Sequence, residues 1–392
     1  MKKPDIKNLY YITHVNNLPS ILKYGILSHR LVEERKINFT PVYNPQIVTN
    51  RRNRLTPNQK SLWNFANLYF QPRNPMLYQV IHNIGAKDIA IVGVRPDVLR
   101  HAQGFVSTGN AASAPSEILP LKEGLPQIHQ MWDIIKSEWW NPDDGSKRKI
   151  MAECLVPDAV EPDLVDTIYV ASHEIAEQLK KTLNVPDLAI MPEPYMFFQP
   201  NWNRLIARNI SLVDGDMFFS NRQTLTISVN TKGIMGKGIA SRAKYQFPDV
   251  YVVYQDVCRN KQLQMGKPYL YKRESSLDEE LAEDSTSLAK PNANKWFLLF
   301  ATKNHWKENS DIEGIEQGLQ WIQQNYKSEG ITSLAVPALG CGLGGLDWRD
   351  VGPLMCNYFA KLDIHVAIYL PREQKISDEF LTADFLLKKS NS

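Results

Sequence analysis

The sequence predicts two domains, an N-terminal α+β domain and a C-terminal layered α/β domain, on three observations. A chain of 392 residues exceeds one average domain and suits two. A proline-rich seam runs from Ile190 to Arg204 (Ile-Met-Pro-Glu-Pro-Tyr-Met-Phe-Phe-Gln-Pro-Asn-Trp-Asn-Arg) and prevents regular structure there. Beyond the seam, strand-like and helix-like patterns alternate; before it they mix irregularly. The expected bounds are 1–200 for the first domain, 201–207 for a linker and 208–392 for the second.

Each element follows from local pattern. Leu9-Tyr-Tyr-Ile-Thr reads as a strand, and Leu18, Ile21 and Leu22 mark a short helix ended by Gly25. Residues 30–75 show no clean period, which predicts long functional loops, whereas Ile89–Val94 and Ile168–Ala171 read as strands. In the second half, Leu225-Thr-Ile-Ser-Val is β-branched and is followed by a glycine-rich turn and a helix from Ile239 to Phe247. Trp296–Thr302 is the next strand, and Ile312, Ile315, Leu319 and Ile322 recur at helical spacing before Gly330. Leu334–Val336 reads as a strand, Val351 to Leu362 as a helical stripe and Val366–Leu370 as the closing strand. Glu274–Ser287, with six acids and no base, reads as a solvated loop or insertion.

Composition narrows the class. Hydrophobic content of 43% with 22% charged residues is ordinary globular composition and excludes wholesale disorder and collagen-like repeats. No apolar run approaches the ~18 residues of a membrane span. The opening Met-Lys-Lys-Pro-Asp-Ile-Lys-Asn lacks the apolar stretch of a signal peptide, so no membrane contact is expected. Cys154, Cys258, Cys341 and Cys356 stand far apart without a Cys-x-x-Cys pair, which argues against a metal or disulfide framework and fits a reducing cytoplasm. From Arg35 to Lys87 there are eight basic residues and no acid, interleaved with Phe39, Tyr43, Trp63, Phe65, Tyr69, Phe70 and Tyr78. Cations that track phosphates among rings that stack bases suit single-stranded nucleic acid; the bland alternative is core aromatics with solvated charges.

Two glycine-rich loops of the second half each follow a strand: Val229-Asn-Thr-Lys-Gly233-Ile-Met-Gly236-Lys-Gly238-Ile-Ala and Val336-Pro-Ala-Leu-Gly340-Cys-Gly342-Leu-Gly344-Gly345. Glycines bring amide N–H groups close to phosphate oxygens, and the first loop feeds a helix N-terminus. The spacing matches neither the dinucleotide fingerprint nor the P-loop, and two such loops suit opposite walls of a diphosphate cleft. On these residues the segment 208–372 resembles a macrodomain, the α/β/α ADP-ribose-binding fold built on a mixed central sheet. The resemblance implies an ADP-ribose site at Asp214 and Asp216 (adenine end), Asn230, Gly233, Met235, Gly236 and Gly238 (distal ribose), and Gly340, Cys341, Gly342, Leu343 and Gly344 (diphosphate). Ala301-Thr-Lys303-Asn-His-Trp306 and the run from Gly340 to Trp348 resemble the DarG antitoxins, macrodomains that hydrolyse ADP-ribose from thymine in DNA. That likeness implies a catalytic role for Lys303: a lysine in a closed cleft loses its proton cheaply and can attack a ribose C1′ or stabilise charge there. A protein-directed branch has Asp in the second glycine loop where this chain has Gly344.

In the first half the candidates are His14, the cluster Arg51-Arg52-Asn-Arg54, and Glu153, a carboxylate flanked by Met151-Ala152 and Cys154-Leu155-Val156. An acid in apolar company is costly unless it has a partner or a task. Together with Tyr11-Ile-Thr-His14-x-x-Asn17-Leu18-Pro19-x-Ile21 and Tyr69-Phe70-x-Pro72-Arg73-x-Pro75-Met76-Leu77-Tyr78, these residues resemble the DarT family of NAD-dependent DNA ADP-ribosyltransferases, with an ADP-ribosyltransferase-like fold. The resemblance implies that Thr13, His14, Asn17 and Arg51 hold NAD and that Glu153 stabilises the oxocarbenium-like ribose. One of Arg51, Arg52 and Arg54 assists the thymine, and adjacent arginines leave the register open. Arg52, Arg54, Arg73 and Lys147-Arg148-Lys149, where the superfamily places its substrate loop, would contact the DNA.

The combined expectation is a fused toxin–antitoxin chain. Its first domain, a glycosyltransferase, would write ADP-ribose onto thymine of single-stranded DNA from NAD, and its second, a hydrolase, would erase it. NAD and ADP-ribose would bind, without metal. The writer and eraser would contact each other within one chain, a monomer sufficing, in the cytoplasm. Fusion would fix their ratio and raise effective concentration. Two rivals remain open at this point: a pair acting on RNA or protein, and a dead transferase fold tethered to an ADP-ribose reader.

Overall fold

The structure, a computed structural model, describes residues 4–42 and 45–387. It divides into two units, Met1–Gln199 with Asp278–Pro291, and Pro200–Leu277 with Asn292–Ser392, and each is described by itself. Tyr43, one of the interleaved aromatics, lies outside the described residues.

Unit 1 takes its strands from the apolar and β-branched runs of the first half. They are β1 (Leu9–His14), β2 (Ile26–Leu27), β3 (Phe65–Tyr69), β4 (Ile89–Val94), β5 (Phe105–Ser107), β6 (Ile118–Pro120), β7 (Glu153–Pro157), β8 (Ala159–Val160), β9 (Val165–Val170) and β10 (Ala189–Pro192). Among the described residues, eight of them form one mixed sheet in the order β10-β9-β4-β1-β3-β7-β5-β6, and β2 pairs with β8 separately. Only β10 and β9 run parallel; the other neighbours are antiparallel. Ile89-Ala-Ile-Val-Gly-Val is buried throughout because β4 lies inside the sheet, and its side chains join a core with Leu18, Ile21, Ile128, Ala176 and Leu179 from flanking helices. The turn at Gly25 (φ 81°) needs glycine, since a Cβ there would meet the Val160 carbonyl oxygen at 2.1 Å.

Unit 2 is layered. Its strands are β11 (Trp202–Ala207), β12 (Ile210–Asp214), β13 (Thr224–Asn230), β14 (Tyr269–Tyr271), β15 (Trp296–Lys303), β16 (Ser333–Pro337) and β17 (His365–Tyr369), in the order β11-β12-β17-β16-β13-β15-β14. The five inner strands are parallel and the edge strands β11 and β14 antiparallel. Helices Gly238–Gln246, Ile312–Asn325 and Trp348–Phe359 follow β13, β15 and β16, so the carboxyl ends of those strands and the loops after them form one rim. Ile315, Leu319, Ile322, Val351, Met355 and Phe359 bury the apolar stripes of the last two helices.

Three expectations are corrected here. Residues 202–207, expected in a linker, form edge strand β11, paired with β12 through Trp202 and Asp214. Glu274–Ser287 is not a solvated loop: Asp278–Leu281 is helical, and Leu277, Asp278, Leu281 and Ala282 are buried. The stretch 30–75 is not all loop, since Pro45–Asn53 is a helix and Phe65–Tyr69 is β3.

Two candidate active sites

In unit 1 the first residue of β7 is Glu153, whose side chain has 0% exposure. Its backbone N–H donates to Ser107 Oγ at 3.1 Å, which fixes the strand start against β5. Arg51, in the last turn of helix Pro45–Asn53, closes a two-pronged pair on it: Nη1 to Oε1 at 3.1 Å and Nη2 to Oε2 at 2.9 Å. The Ala111 N–H also donates to Oε1, at 2.9 Å. A carboxylate without exposure is costly alone, and three convergent donors offset its lost hydration.

The geometry separates the three arginines. Arg51 reaches Glu153; Arg54 Nη2 donates to the Ser116 carbonyl at 2.9 Å. Arg52 keeps a side chain 61% exposed and lies 5.1 Å over the Trp63 ring. Two further groups complete the pair's surroundings: His29, not singled out in the sequence, and Tyr69, which opens the Tyr69–Tyr78 motif. His29 stacks on Trp63 at 4.2 Å, and burial, with Arg51 second, pushes its imidazole down to about 4, so it is neutral. Tyr69 stands opposite Glu153 in the β3–β7 register, and burial, then Glu153, holds its phenol well above the usual range. A lone histidine carries no sequence signal, and the motif at Tyr69 does not place the tyrosine against Glu153; that comes from the strand pairing.

His14 ends β1, and its Nδ1 accepts the Asn16 N–H at 3.1 Å. In the neutral ring the proton then sits on Nε2, a donor suited to a ribose hydroxyl. Thr13 and Asn17 shape this corner: Asn17 Nδ2 donates to Thr13 Oγ1 at 3.1 Å and to the Thr40 carbonyl at 2.8 Å, while its Oδ1 accepts the Thr40 N–H at 2.7 Å.

The expected DNA cations divide. Arg73 is a correction: it is 4% exposed, donates to the Tyr195 and Glu138 carbonyls, and lies 4.4 Å over the Tyr195 ring and 4.6 Å over Phe198. These internal partners occupy its guanidinium, which leaves little of it for a DNA phosphate. Arg148 Nη1 donates to Ser116 Oγ at 3.0 Å, within the unit as well. Lys147 and Lys149 lie half-buried on the short helix Ser146–Lys149, four residues before Glu153.

In unit 2 the two glycine loops meet. A Cβ on Gly238 (φ 58°) would come 3.1 Å from Leu343 Cδ1, so the loop after β13 faces the loop after β16. Asn230 shapes the first loop, with Nδ2 donating to the Ile234 carbonyl at 2.6 Å and Oδ1 accepting the Lys232 N–H at 2.9 Å. Nothing would meet a Cβ on Gly236, which leaves open space, and Met235 is buried beneath. In the second loop Gly340 (φ 72°) and Gly342 (φ 65°) take backbone conformations that favour glycine. Burial pushes the Cys341 thiol up to about 12, so it lines the loop as a neutral thiol. At the β12 end, Asp214 accepts Asn201 Nδ2 at 3.1 Å, and Asp216 pairs with Arg242 at 2.7 Å. Lys303 ends β15 beside Asn230 in register; its Nζ donates to the Glu308 carbonyl at 2.8 Å, and burial lowers its pKa. Among the described residues no group of three His, Cys, Asp or Glu side chains is placed to hold a metal ion.

Gly344 shows why this loop carries no aspartate. A Cβ there would approach Ser310 Oγ at 2.5 Å, while the Ser310 N–H already donates to the Gly344 carbonyl at 2.8 Å. Gly344→Asp is expected to weaken ADP-ribose binding by about tenfold through loop displacement. Calorimetry checks this, and an unchanged affinity would show that the loop has room.

A buried glutamate gripped by an arginine at a strand end, and two facing glycine loops on a largely parallel sheet, are the arrangement expected of an ADP-ribosyltransferase joined in one chain to a macrodomain. Comparison with known proteins agrees. The model of the ssDNA thymidine ADP-ribosyltransferase DarT matches residues 10–199, and that of the macro domain matches residues 285–355. Over 385 residues, 98% of this chain and 99% of the relative, the chain is 56% identical to a DNA ADP-ribosyl transferase–DNA ADP-ribosyl glycohydrolase fusion protein of Thermosipho africanus. The solved structure of Thermosipho africanus DarTG in complex with ADP-ribose matches with a TM-score of 0.91 and 55% identity, covering 97% of this chain and 100% of that one. A DNA ADP-ribosyl glycohydrolase of Mycobacterium tuberculosis is 32% identical over 163 residues, 41% of this chain and 42% of its own length. The chain belongs to the DarT–DarG fusion family: a DNA ADP-ribosyltransferase and a DNA ADP-ribosyl glycohydrolase, the two halves of a toxin–antitoxin pair, in one polypeptide.

Proposed function

We propose that Glu153 and Arg51 carry transfer of ADP-ribose from NAD to N3 of thymine in single-stranded DNA, and that Lys303 carries its removal. The observation that bears most weight is the fully buried Glu153 held by the largely buried Arg51 and by the Ala111 N–H. His14 Nε2 and the Thr13–Asn17 corner would hold the nicotinamide-side ribose. As the C1′–nicotinamide bond breaks, the electron pair leaves on neutral nicotinamide, and the Glu153 carboxylate stabilises the cationic ribose. Arg51 holds the thymine carbonyl oxygens and favours loss of the N3 proton to water, and N3 then bonds to C1′. An unpaired base exposes N3, which is why the substrate is single-stranded.

In unit 2 the glycine loops would cradle the diphosphate, with Asp214 and Asp216 at the adenine end. Lys303 Nζ, as the free amine, attacks C1′; the C1′–N3 bond breaks, thymine recovers a proton, and water then cleaves the C1′–Nζ bond. The exposed Arg52 with its ring partner Trp63, and the cations at Lys147 and Lys149, suit a phosphate-bearing strand. No helix among the described residues is long and apolar enough to cross a membrane. We place the protein in the cytoplasm because its free cysteines suit a reducing compartment, with a monomer sufficing.

DNA is separated from RNA by paired oligonucleotides. The chain with NAD is expected to release nicotinamide with a thymine-containing single strand at a rate at least about tenfold above its uracil RNA counterpart, a discrimination of the size that pocket contacts supply. Equal rates, or modification of protein alone, would overturn the DNA assignment.

A further inference from the structure

Asp278–Pro291 belongs to unit 1, although chain order places it between β14 and β15. It is built in along its length. Leu281 and Ala282 are 1% and 0% exposed. The Tyr78 hydroxyl donates to Asp278 Oδ1 at 3.3 Å, Trp140 Nε1 donates to the Glu280 carbonyl, and Lys147 Nζ donates to the Glu279 carbonyl at 2.6 Å. The Glu283 N–H donates to the Pro75 carbonyl at 3.2 Å. Gln79 takes both ends of the following turn, accepting the Asp284 N–H at 2.9 Å and donating to Ser287 Oγ at 2.6 Å.

Three observations distinguish it from a packed surface loop. Asp278, Glu279, Glu280, Glu283 and Asp284 put five acids in seven residues. The segment covers Lys147 and the ring of Trp140, a cation and an aromatic of the kind that grip a nucleic-acid strand. It also reaches the catalytic pair: Asn110 Nδ2 donates to the Glu283 carboxyl, whose nearest charged neighbours are Glu153, Arg51 and Lys147. A carboxyl facing the catalytic carboxylate opposes docking, so the segment is held by the flanking bonds against a local repulsion.

We propose that Asp278–Pro291 is a built-in competitor for the DNA strand: its acidic backbone path occupies the channel that phosphates take, Glu283 stands where the target base approaches Arg51, and the segment must leave before DNA enters. This rests on reading unit 1 as a DNA transferase. Competition of this kind lowers apparent DNA affinity by the fraction of molecules with the channel open.

The competitor is pH-sensitive, and the sign is determined. Burial, then Glu153, raises the docked Glu283 carboxyl to about 7, with Arg51, Asn110 and Lys147 opposing. Its free value is ~4.3. Docking therefore holds fully below about 4.3 and weakens as pH rises through about 7. The groups facing it are Glu153 and Tyr69 from β7 and β3, Arg51, Asn110 and Lys147.

The test uses the full chain and a fluorescent thymine-containing single-stranded oligonucleotide, read by anisotropy. Leu281→Asp with Ala282→Asp expels the segment; Gln79→Ala loosens it from the opposite side without altering the segment. Both are expected to bind the oligonucleotide about tenfold more tightly than the parent chain. Glu283→Gln is expected to remove the tightening expected of the parent between about pH 5 and pH 7, the interval below its raised value of about 7. Parent-like or weaker binding in both loosened chains, with unchanged near-ultraviolet dichroism, would overturn the proposal. Tighter binding without nicotinamide release from NAD by any chain would keep the competitor and remove the transferase reading; normal release with unchanged affinity would do the reverse.

Discussion

Glu153→Gln lowers nicotinamide release with thymine DNA by about 10³-fold, as expected when a charge that acts chiefly in the transition state is removed. The substitution keeps an oxygen for the Ala111 N–H and for Arg51 Nη1 and keeps the side chain's size, while the negative charge and the bond from Arg51 Nη2 are lost. Glu153→Ala is a harsher change, because it leaves the largely buried Arg51 guanidinium without its partner at a cost of about 3–5 kcal/mol. In a unit of this size that lowers Tm by about 6–20 °C, from roughly 2–4 °C per kcal/mol. The pair of variants therefore separates chemistry from folding. A Gln variant with parent-like turnover would remove Glu153 from the mechanism, whatever its role in the fold.

Lys303→Ala leaves modified oligonucleotide intact, with removal slowed by about 10²–10³-fold for loss of a nucleophile or positioned base. ADP-ribose affinity is expected to change little, because the proposed site places the ligand on the glycine loops and the Asp214–Asp216 end rather than on Lys303. Burial lowers the Lys303 pKa, so the free amine is more abundant near neutrality than for an exposed lysine, and removal accelerates as pH rises through that lowered value. Lys303→Arg is the sharper variant. A guanidinium keeps charge and length but does not deprotonate, so it fails to rescue an amine nucleophile and largely rescues a charge-stabilising role. Substantial activity in the Arg variant would overturn attack by Nζ.

Much of this was legible in the sequence where signals were local. Leu225–Val229, Trp296–Thr302, Leu334–Val336 and Val366–Leu370 are apolar and β-branched, and they became β13, β15, β16 and β17. The glycine loops were legible because positive φ and close approach leave few other choices of residue. The acid at Glu153 was conspicuous for its apolar neighbours, and the structure buries it. What escaped depends on distant partners. Helix Pro45–Asn53 is polar, so no period marks it, and Arg51 was separated from Arg52 and Arg54 only by a pair spanning 102 residues of sequence. Glu274–Ser287 reads in sequence as a solvated loop or insertion because charge runs are usually solvated; its burial depends on partners Tyr78, Gln79, Trp140 and Lys147 far away in the chain. Arg73 misled in the opposite direction, since a basic stretch among aromatics describes a packed cation–ring cluster as well as a DNA surface. The seam's prolines obscured β11, where one edge contact with β12 suffices for a strand.

The central claim, one chain that both writes and erases ADP-ribose on thymine, is tested most directly by mass spectrometry of a thymine-containing single-stranded oligonucleotide. The oligonucleotide is incubated with NAD and the full chain carrying Lys303→Ala, then with the parent chain after NAD is removed. The account predicts one ADP-ribose on a thymine base after the first step, absent with Glu153→Gln, and its loss in the second. An unmodified oligonucleotide alongside modified RNA or protein, or an adduct that persists in the presence of the parent chain, would contradict it.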